Sequence, residues 1–267
     1  MADHKDAVVG TLTSLDGART RPVPLPPWLI ACTIGLALVV FGTAAYGQAV
    51  LRLARIENIP DQFVGGEILK DVYRRLDISI EFVDMPAKRA LIESSQGHVD
   101  GEVQRILAVQ SEYPSLIAVQ PSINYIEPSA FVKQRDFRVD GWTSIAPYAI
   151  GIVRGVGSSE RGTRGMDKVE VVATMDQLMQ MLALDRIDVA VNDRFSGLLV
   201  NKKLHLDTVV HPLSPALERI PLYHFLHEHH RDLVPRVEKA IRDMEASGEL
   251  QRLRQDITSR MLRDAEK

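Results

Sequence analysis

Two apolar stretches of the sequence end in charged residues of opposite sign. The stretch "HVDGEVQRI" (98–106) carries Arg105 near its end, and "IDVAVND" (187–193) ends in Asp193. A guanidinium group binds a carboxylate through paired hydrogen bonds, and a carboxylate can accept hydrogen bonds from an ammonium group. If the fold brings the two stretches face to face, Arg105 and Asp193 would complement a ligand with both charges, such as an α-amino acid.

Each charged stretch is the last strand of a predicted βαβαβ unit. The first unit reads, in order, as strand 50–56, helix 67–76, strand 78–85, helix 86–97 and strand 98–106. The second unit repeats this order as strand 148–155, helix 158–166, strand 169–174, helix 175–186 and strand 187–193. Two amphipathic helices follow within 232–257. The alternation predicts an α/β fold with mainly parallel sheets, which bind ligands at the carboxyl ends of their strands.

Composition excludes several other classes of protein. The chain has 267 residues, enough for one large or two small domains. Its net charge of -3 and the lack of a basic stripe argue against a nucleic-acid partner. Cys32 is the single cysteine, so no disulfide can form within the chain.

The N-terminal segment has the pattern of an export signal. Residues 28–46 carry no charge, Arg19 and Arg21 precede them, and small residues follow at Gly47 and Ala49. This pattern predicts a signal peptide cleaved after Gly47 or Ala49. The alternative is a retained membrane anchor, because an apolar run of this length can just span a bilayer. Both interpretations put the remainder of the chain outside the cytoplasmic membrane, and we expect a periplasmic location.

The order of these segments resembles the family 3 extracellular solute-binding proteins, the amino-acid receptors of ABC importers. The segments that carry the resemblance run through 50–257 and include "LRLARIENIP", "YAIGIVRGVGSS" and "MDQLMQMLALDRIDVAVND". The resemblance implies a two-lobed fold of the type II periplasmic-binding class, with hinge crossings near 132–138 and 212–220. The implied division is a leader or anchor at 1–49, a first lobe of 50–135 plus 214–267, and a second lobe of 136–213.

The resemblance also assigns roles to charged and hydroxyl residues at the predicted cleft. It implies that Arg105 pairs with the carboxylate of the ligand. It implies that Ser158 and Ser159, at a helix N-terminus of the second lobe, hold the same carboxylate. Asp193 matches the aspartate that takes the ligand ammonium group.

Two segments depart from the pattern of the family. The usual aromatic cradle after the first strand is replaced by "ENIPDQF", which brings Glu57, and the usual threonine-rich stretch is replaced by "GEVQR". Glu57 and Tyr125 complete the predicted ligand-binding set, although a buried core tyrosine is the alternative for Tyr125. These departures leave open a polar, a cationic or a non-amino-acid ligand.

Other features of the sequence could indicate a metal site or a different function. His227, His229 and His230 do not have a zinc-binding spacing, and we predict no metal and no cofactor. No catalytic order of residues is evident, so we predict a monomeric binding protein that serves an ABC permease. One alternative is a dehydratase of the cyclohexadienyl or arogenate type on the same scaffold, with Glu57 or Glu102 as proton donor. Another is a membrane-anchored sensory domain.

Overall fold

The structure, a computed structural model, describes residues 50–265. The predicted signal peptide or anchor, at 1–49, lies outside the described residues. The strands are β1 (Leu51–Ile56), β2 (Ile80–Met85), β3 (Gly101–Arg105), β4 (Leu116–Ala118), β5 (Asn124–Ile126), β6 (Pro128–Val132), β7 (Ile150–Val153), β8 (Val169–Val172), β9 (Val189–Asp193), β10 (His211–Pro212) and β11 (Ile220–His227). The helices are α1 (Pro60–Arg75), α2 (Ala87–Ser95), α3 (Val109–Glu112), α4 (Gly157–Gly162), α5 (Met175–Ala183), α6 (Arg194–Lys203), α7 (Val234–Ala246) and α8 (Glu249–Asp264). Within 50–265, none of the helices combines the length and the apolar character needed to cross a bilayer.

The strands form two mixed sheets, and in each sheet three strands on one side run parallel to one another. In the first sheet the order is β2-β1-β3-β11-β4, with β5 also paired to β11, and β1 runs parallel to both β2 and β3. In the second sheet the order is β10-β6-β9-β7-β8, and β7 runs parallel to both β8 and β9. The remaining pairings, which involve β11, β6 and β10, are antiparallel. The α/β architecture with two repeated units is therefore confirmed. The sheets are mixed and not mainly parallel as predicted, because the strands outside the two βαβαβ units join them in the antiparallel direction.

Helix α1 begins at Pro60, seven residues before the predicted start at 67. Its additional first turns contain two glycines, which pack against the sheet. Pro60 occupies the first turn, where its missing N–H group costs no helical hydrogen bond. Gly65 and Gly66 are buried against the sheet. A Cβ atom on Gly65 would lie 2.3 Å from Oε1 of Gln104 on β3. The glycines therefore allow α1 to approach β3 closely, at the edge where the predicted ligand site lies.

The first crossing between the lobes lies one strand earlier than predicted. Strand β6 pairs antiparallel with β9 and so belongs to the second sheet, whereas the prediction placed all of 50–135 in the first lobe. The chain therefore crosses at Glu127, between β5 and β6, and not at 132–138. The return crossing is the segment 213–219 between β10 and β11. Its residue Leu217 still donates to the carbonyl of Pro128 in the second sheet, at 2.8 Å.

Helix α6 of the second lobe packs into the core of the first lobe. The first core contains buried side chains of β1, α1, α7 and α8, and Phe195 of α6 is part of the same apolar cluster. Leu199, one turn further along α6, packs against that cluster. Because α6 starts directly after β9, the carboxyl end of β9 is held next to the first lobe.

Candidate ligand-binding cleft

Four of the predicted site positions lie at the carboxyl edges of parallel strands. Glu57 directly follows β1, and Arg105 ends the neighbouring strand β3. In the second sheet, Asp193 ends β9, and the serine pair of α4 follows the neighbouring strand β7. The fold therefore brings the predicted residues together in two groups, one in each lobe. Among residues 50–265, no hydrogen bond or ion pair joins Arg105 to Asp193 or to either serine.

Arg105 already has a carboxylate partner within the protein. Its Nε donates to Oε2 of Glu102, and its Nη2 donates to the backbone carbonyl of Ala87 at 2.8 Å. Glu102 is 1% exposed and also accepts a hydrogen bond from Oγ of Ser94 at 2.9 Å. Burial raises the pKa of Glu102, while the charge of Arg105 and the two hydrogen bonds oppose the rise. Arg105 therefore balances a buried carboxylate, and a ligand carboxylate would have to share its guanidinium group.

Asp193 caps a helix and secures the first crossing. Its Oδ2 accepts from the backbone N–H of Ser196 at 3.0 Å, which makes Asp193 the N-cap of α6. Its Oδ1 accepts from the backbone N–H of Glu127 at 2.9 Å. Among residues 50–265, no side chain forms an ion pair with Asp193. The negative charge of Asp193 is therefore not balanced by a cationic side chain among these residues. Its role as the acceptor of a ligand ammonium group stays a prediction.

The serine pair lies in the first turn of α4. Val156 is the N-cap of this helix, and no side chain caps it. Ser159 is 1% exposed, whereas Ser158 is half-buried. The backbone N–H of Gly155 donates to Oε1 of Glu160 at 2.7 Å, so a carboxylate of the same turn holds the loop before the helix. The serines therefore lie at the predicted end of the helix, two and three residues after the N-cap.

A buried polar network lies behind the cleft, and sequence reasoning missed it. Asp61, in the first turn of α1, accepts hydrogen bonds from the side-chain amides of Gln104 and Asn124, the latter at 2.8 Å. Arg254 of α8 extends the network by donating from Nε to Oδ1 of Asn124 at 2.7 Å. Burial raises the pKa of Asp61 to about 8, and the charge of Asp193 adds to the rise. Burial and the negative charge of Asp193 therefore both favour the protonated form of Asp61.

One member of this region has an unsatisfied hydrogen-bonding atom. The side-chain nitrogen of Gln62 donates to the carbonyl of Gln104 at 3.1 Å. Its Oε1 is buried and has no partner among the described residues. A buried acceptor without a donor is costly unless a water molecule or a ligand group supplies one. Asp61 and Gln62 belong to the segment "PDQ" at the start of α1, which precedes the predicted helix start at 67.

Glu57 opens onto a cavity of the first lobe. The cavity has a volume of about 550 Å³, and its lining includes Arg55, Glu57, Ile59, Phe63 and Met261. The guanidinium group of Arg55 is paired through two hydrogen bonds with Asp84, at 2.6 and 2.9 Å. The exposed carboxylate of Glu57 is therefore the charged group of this lining that has no ion-pair partner among the described residues. Cavities of this size accommodate small-molecule ligands.

Tyr125 and the histidines form their hydrogen bonds with residues outside the two groups of predicted site residues. Tyr125 is in β5, and its hydroxyl accepts a hydrogen bond from Nη1 of Arg254 at 2.9 Å. Nδ1 of His227 accepts from the backbone N–H of His229, and Nε2 of His230 pairs with Oδ1 of Asp100 at 2.6 Å. Within 50–265, no three or more side chains of His, Cys, Asp or Glu are grouped so that they could hold a metal ion.

Comparisons with known proteins define the fold. No protein-family model and no curated protein matches the chain. An ancestral cationic amino-acid solute-binding protein matches with a TM-score of 0.65 at 12% identity, covering 79% of this chain and 96% of that one. The L-cystine solute receptor of Neisseria gonorrhoeae, in its unliganded open conformation, matches with a TM-score of 0.62 at 16% identity, covering 79% and 92%. A histidine kinase sensor domain with similarity to periplasmic binding proteins matches with a TM-score of 0.59 at 13% identity, covering 78% and 96%.

These matches extend over nearly the whole length of each known structure. At this level of identity the likeness concerns the fold, and the fold agrees with the resemblance seen in the sequence. The chain therefore has the type II periplasmic-binding-protein fold of the amino-acid solute-binding proteins.

Proposed function

We propose that this protein is an exported, periplasmic solute-binding protein that closes its two lobes on an amino acid or a related small polar solute. The observation that carries the proposal is that predicted ligand-binding residues of both lobes lie at the carboxyl edges of parallel strands, where open α/β sheets bind ligands. The matched structures titled as solute receptors support the same class of function. We further propose that the solute is delivered to an ABC permease and that the protein acts as a monomer.

The charges at these edges favour a ligand that carries a cationic group. The charge of Arg105 is balanced by Glu102. In contrast, Asp193 and Glu57 have no ion-pair partner among residues 50–265. An ammonium or guanidinium group would supply the missing positive charge, whereas a second carboxylate would have to share Arg105. A cationic amino acid or a polyamine-like solute therefore fits these residues better than a dicarboxylic one.

A sensory role is the second candidate, because one of the matched structures is a histidine kinase sensor domain. The two candidates use the same ligand-binding cleft and differ in what the closed form contacts. They also differ in the predicted fate of 28–46, which a sensor would retain as an anchor. Recovery of the chain in the membrane fraction with this segment intact would favour the sensory role.

The dehydratase alternative gains no support from the geometry of its predicted proton donors. Glu102 is 1% exposed, and its carboxylate is bonded to Arg105 and Ser94. A general acid must come within hydrogen-bonding reach of its substrate, which this enclosure prevents. Glu57 is exposed and lines the cavity of the first lobe, a position that suits a ligand contact as well as a proton donor.

A thermal-shift screen tests the proposed function. The full chain, purified in detergent micelles, is heated with amino acids, polyamines and organic acids in turn. A ligand at 100 times its dissociation constant adds about 2.7 kcal/mol to the free energy of unfolding, which is a clear shift in the melting temperature. Mass spectrometry of the released ligand should recover it unchanged. Conversion of the ligand, or the absence of any stabilising compound in these classes, would contradict the proposal.

A further inference from the structure

A second cavity lies on the first lobe beside the two crossings. It has a volume of about 210 Å³, room for roughly seven water molecules at about 30 Å³ each. Its lining includes Ser122, Tyr125, Arg219, Glu245, Gln251 and Arg254. Its lining contains Tyr125 of the predicted ligand-binding set, but not Arg105, Asp193, Glu57 or either serine.

The wall of this cavity contains an aromatic ring between two cations. The guanidinium carbon of Arg219 lies 3.5 Å from the ring centroid of Tyr125, and that of Arg254 lies 3.7 Å from the same centroid. Both distances are those of direct contact with a ring face, so the two guanidinium groups must lie on opposite faces. Each contact is favourable, but it places two positive charges on either side of one ring, where they repel each other.

The positive charge at this wall is only partly balanced. Arg254 donates to neutral acceptors, the side-chain oxygen of Asn124 and both oxygens of Tyr125. Arg219 is 61% exposed and reaches a carboxylate, that of Glu127, only at 3.9 Å. Glu245 is the carboxylate of the lining, and its side chain is exposed. The cavity therefore has an excess of positive charge beside a polar wall.

We propose that this cavity is a second ligand site, which binds a small dicarboxylate. Guanidinium groups pair with carboxylates through two parallel hydrogen bonds, and Arg219 has donors that its contact with Glu127 does not use. A ligand with two carboxylates can approach the cations on both faces of Tyr125, whereas a monocarboxylate can approach only one. The hydroxyl of Ser122 and the amide of Gln251 supply further hydrogen-bonding groups.

The position of the cavity links such a ligand to movement of the lobes. Tyr125 lies two residues before the first crossing at Glu127, and Arg219 is the last residue of the return crossing. The guanidinium group of Arg219 also approaches Glu127 itself. A dicarboxylate bound here contacts both connections between the lobes and therefore restrains the hinge.

Calorimetric titration of glutarate into the full chain in detergent tests this proposal. Butyrate, which has one carboxylate fewer, and sulfate are titrated at the same ionic strength. We expect glutarate to bind at least tenfold more tightly than either. We expect Arg219→Gln to weaken glutarate binding at least tenfold, and Gln251→Glu to weaken it as well by adding a negative charge to the wall. Arg242→Gln, an exposed cation of α7, should leave it unchanged.

Each contrary outcome overturns the proposal in a different way. If sulfate bound as tightly as glutarate, the site would hold an adventitious ion only. If butyrate bound as tightly, the site would not be specific for dicarboxylates. A loss of affinity in Arg105→Gln but not in Arg219→Gln would place glutarate in the cleft. As a readout that does not depend on variants, glutarate should slow hydrogen exchange of the backbone in 122–127 and 217–221. Unchanged exchange in both segments would also contradict the proposal.

Discussion

Replacing Asp61 by asparagine should change how the stability of the protein depends on pH. The pKa of Asp61 is raised to about 8 in the folded chain, mainly by burial, whereas an aspartate in an unfolded chain titrates near 3.9. Between these values the folded state holds a proton that the unfolded state has released. The free energy of unfolding should therefore fall as pH rises, by about 1.4 kcal/mol per pH unit and roughly 5 kcal/mol in total.

The Asp61→Asn variant cannot release this proton, so its stability should lack that slope. Urea denaturation at pH 5, 6.5 and 8 measures the free energy of unfolding for both proteins. The slopes are compared instead of the levels, because the asparagine NH₂ group replaces a hydrogen-bond acceptor and shifts the stability at every pH. Asp71→Asn, on the exposed side of the same helix, is the control. If the free energy of unfolding depended on pH in the same way in the wild type and in the Asp61→Asn variant, the inference that Asp61 is buried in its neutral form would be refuted.

Two further changes should have measurable effects on stability. Burial lowers the pKa of His224 to about 4, so between pH 6.5 and 4 the unfolded chain binds a proton that the folded chain excludes. The free energy of unfolding should therefore fall by about 3 kcal/mol as the pH drops from 6.5 to 4. The His224→Asn variant should lack this loss in the same denaturation series, and an equal loss in the variant would contradict the prediction. Gly65→Ala should destabilise the chain by about 1–3 kcal/mol, because the added Cβ meets Gln104 at 2.3 Å. Gly157→Ala, whose added Cβ would meet nothing within 4 Å, is the matched control, and equal melting temperatures for the two variants would contradict the steric argument.

The order of elements could be predicted because each element carries its own apolar pattern. The two βαβαβ units and the two C-terminal helices follow directly from local periodicity. Strand β6 was assigned to the wrong lobe because its five residues are all buried, which gives no information about the sheet it joins. Only the pairing with β9, distant in sequence, places it in the second lobe.

The contacts of the site could not be predicted in the same way. Glu102 and Arg105 are three residues apart in a strand, a spacing that predicts opposite faces, yet Arg105 at the strand end turns back to pair with Glu102. Asp61 lies beside a proline and before two glycines, a composition typical of a loop. Its role depends on Gln104 and Asn124, which the fold brings to it from two strands.

The surroundings of Tyr125 could not be predicted from its position in the sequence. The sequence offered a cleft-facing or a buried core tyrosine. The structure instead places its ring between Arg219 and Arg254, which are about 95 and 130 residues away in the chain. No local pattern connects these residues, because their contact arises only when the return crossing and α8 both pack against β5.

The central claim is that residues of both lobes bind a small solute at the ends of their strands. The affinity of the Asp193→Asn variant for a cationic ligand identified in the screen tests this claim most directly. Asparagine is as good an N-cap as aspartate, so the substitution removes the charge and keeps the start of α6. It also removes the hydrogen bond from the backbone N–H of Glu127, because the asparagine NH₂ group is a donor. Asp176→Asn, an exposed acidic residue of α5, is the control. Calorimetry should show a loss of about thirtyfold or more in Asp193→Asn, roughly 2 kcal/mol, and none in the control. Full affinity in the Asp193→Asn variant would contradict the account.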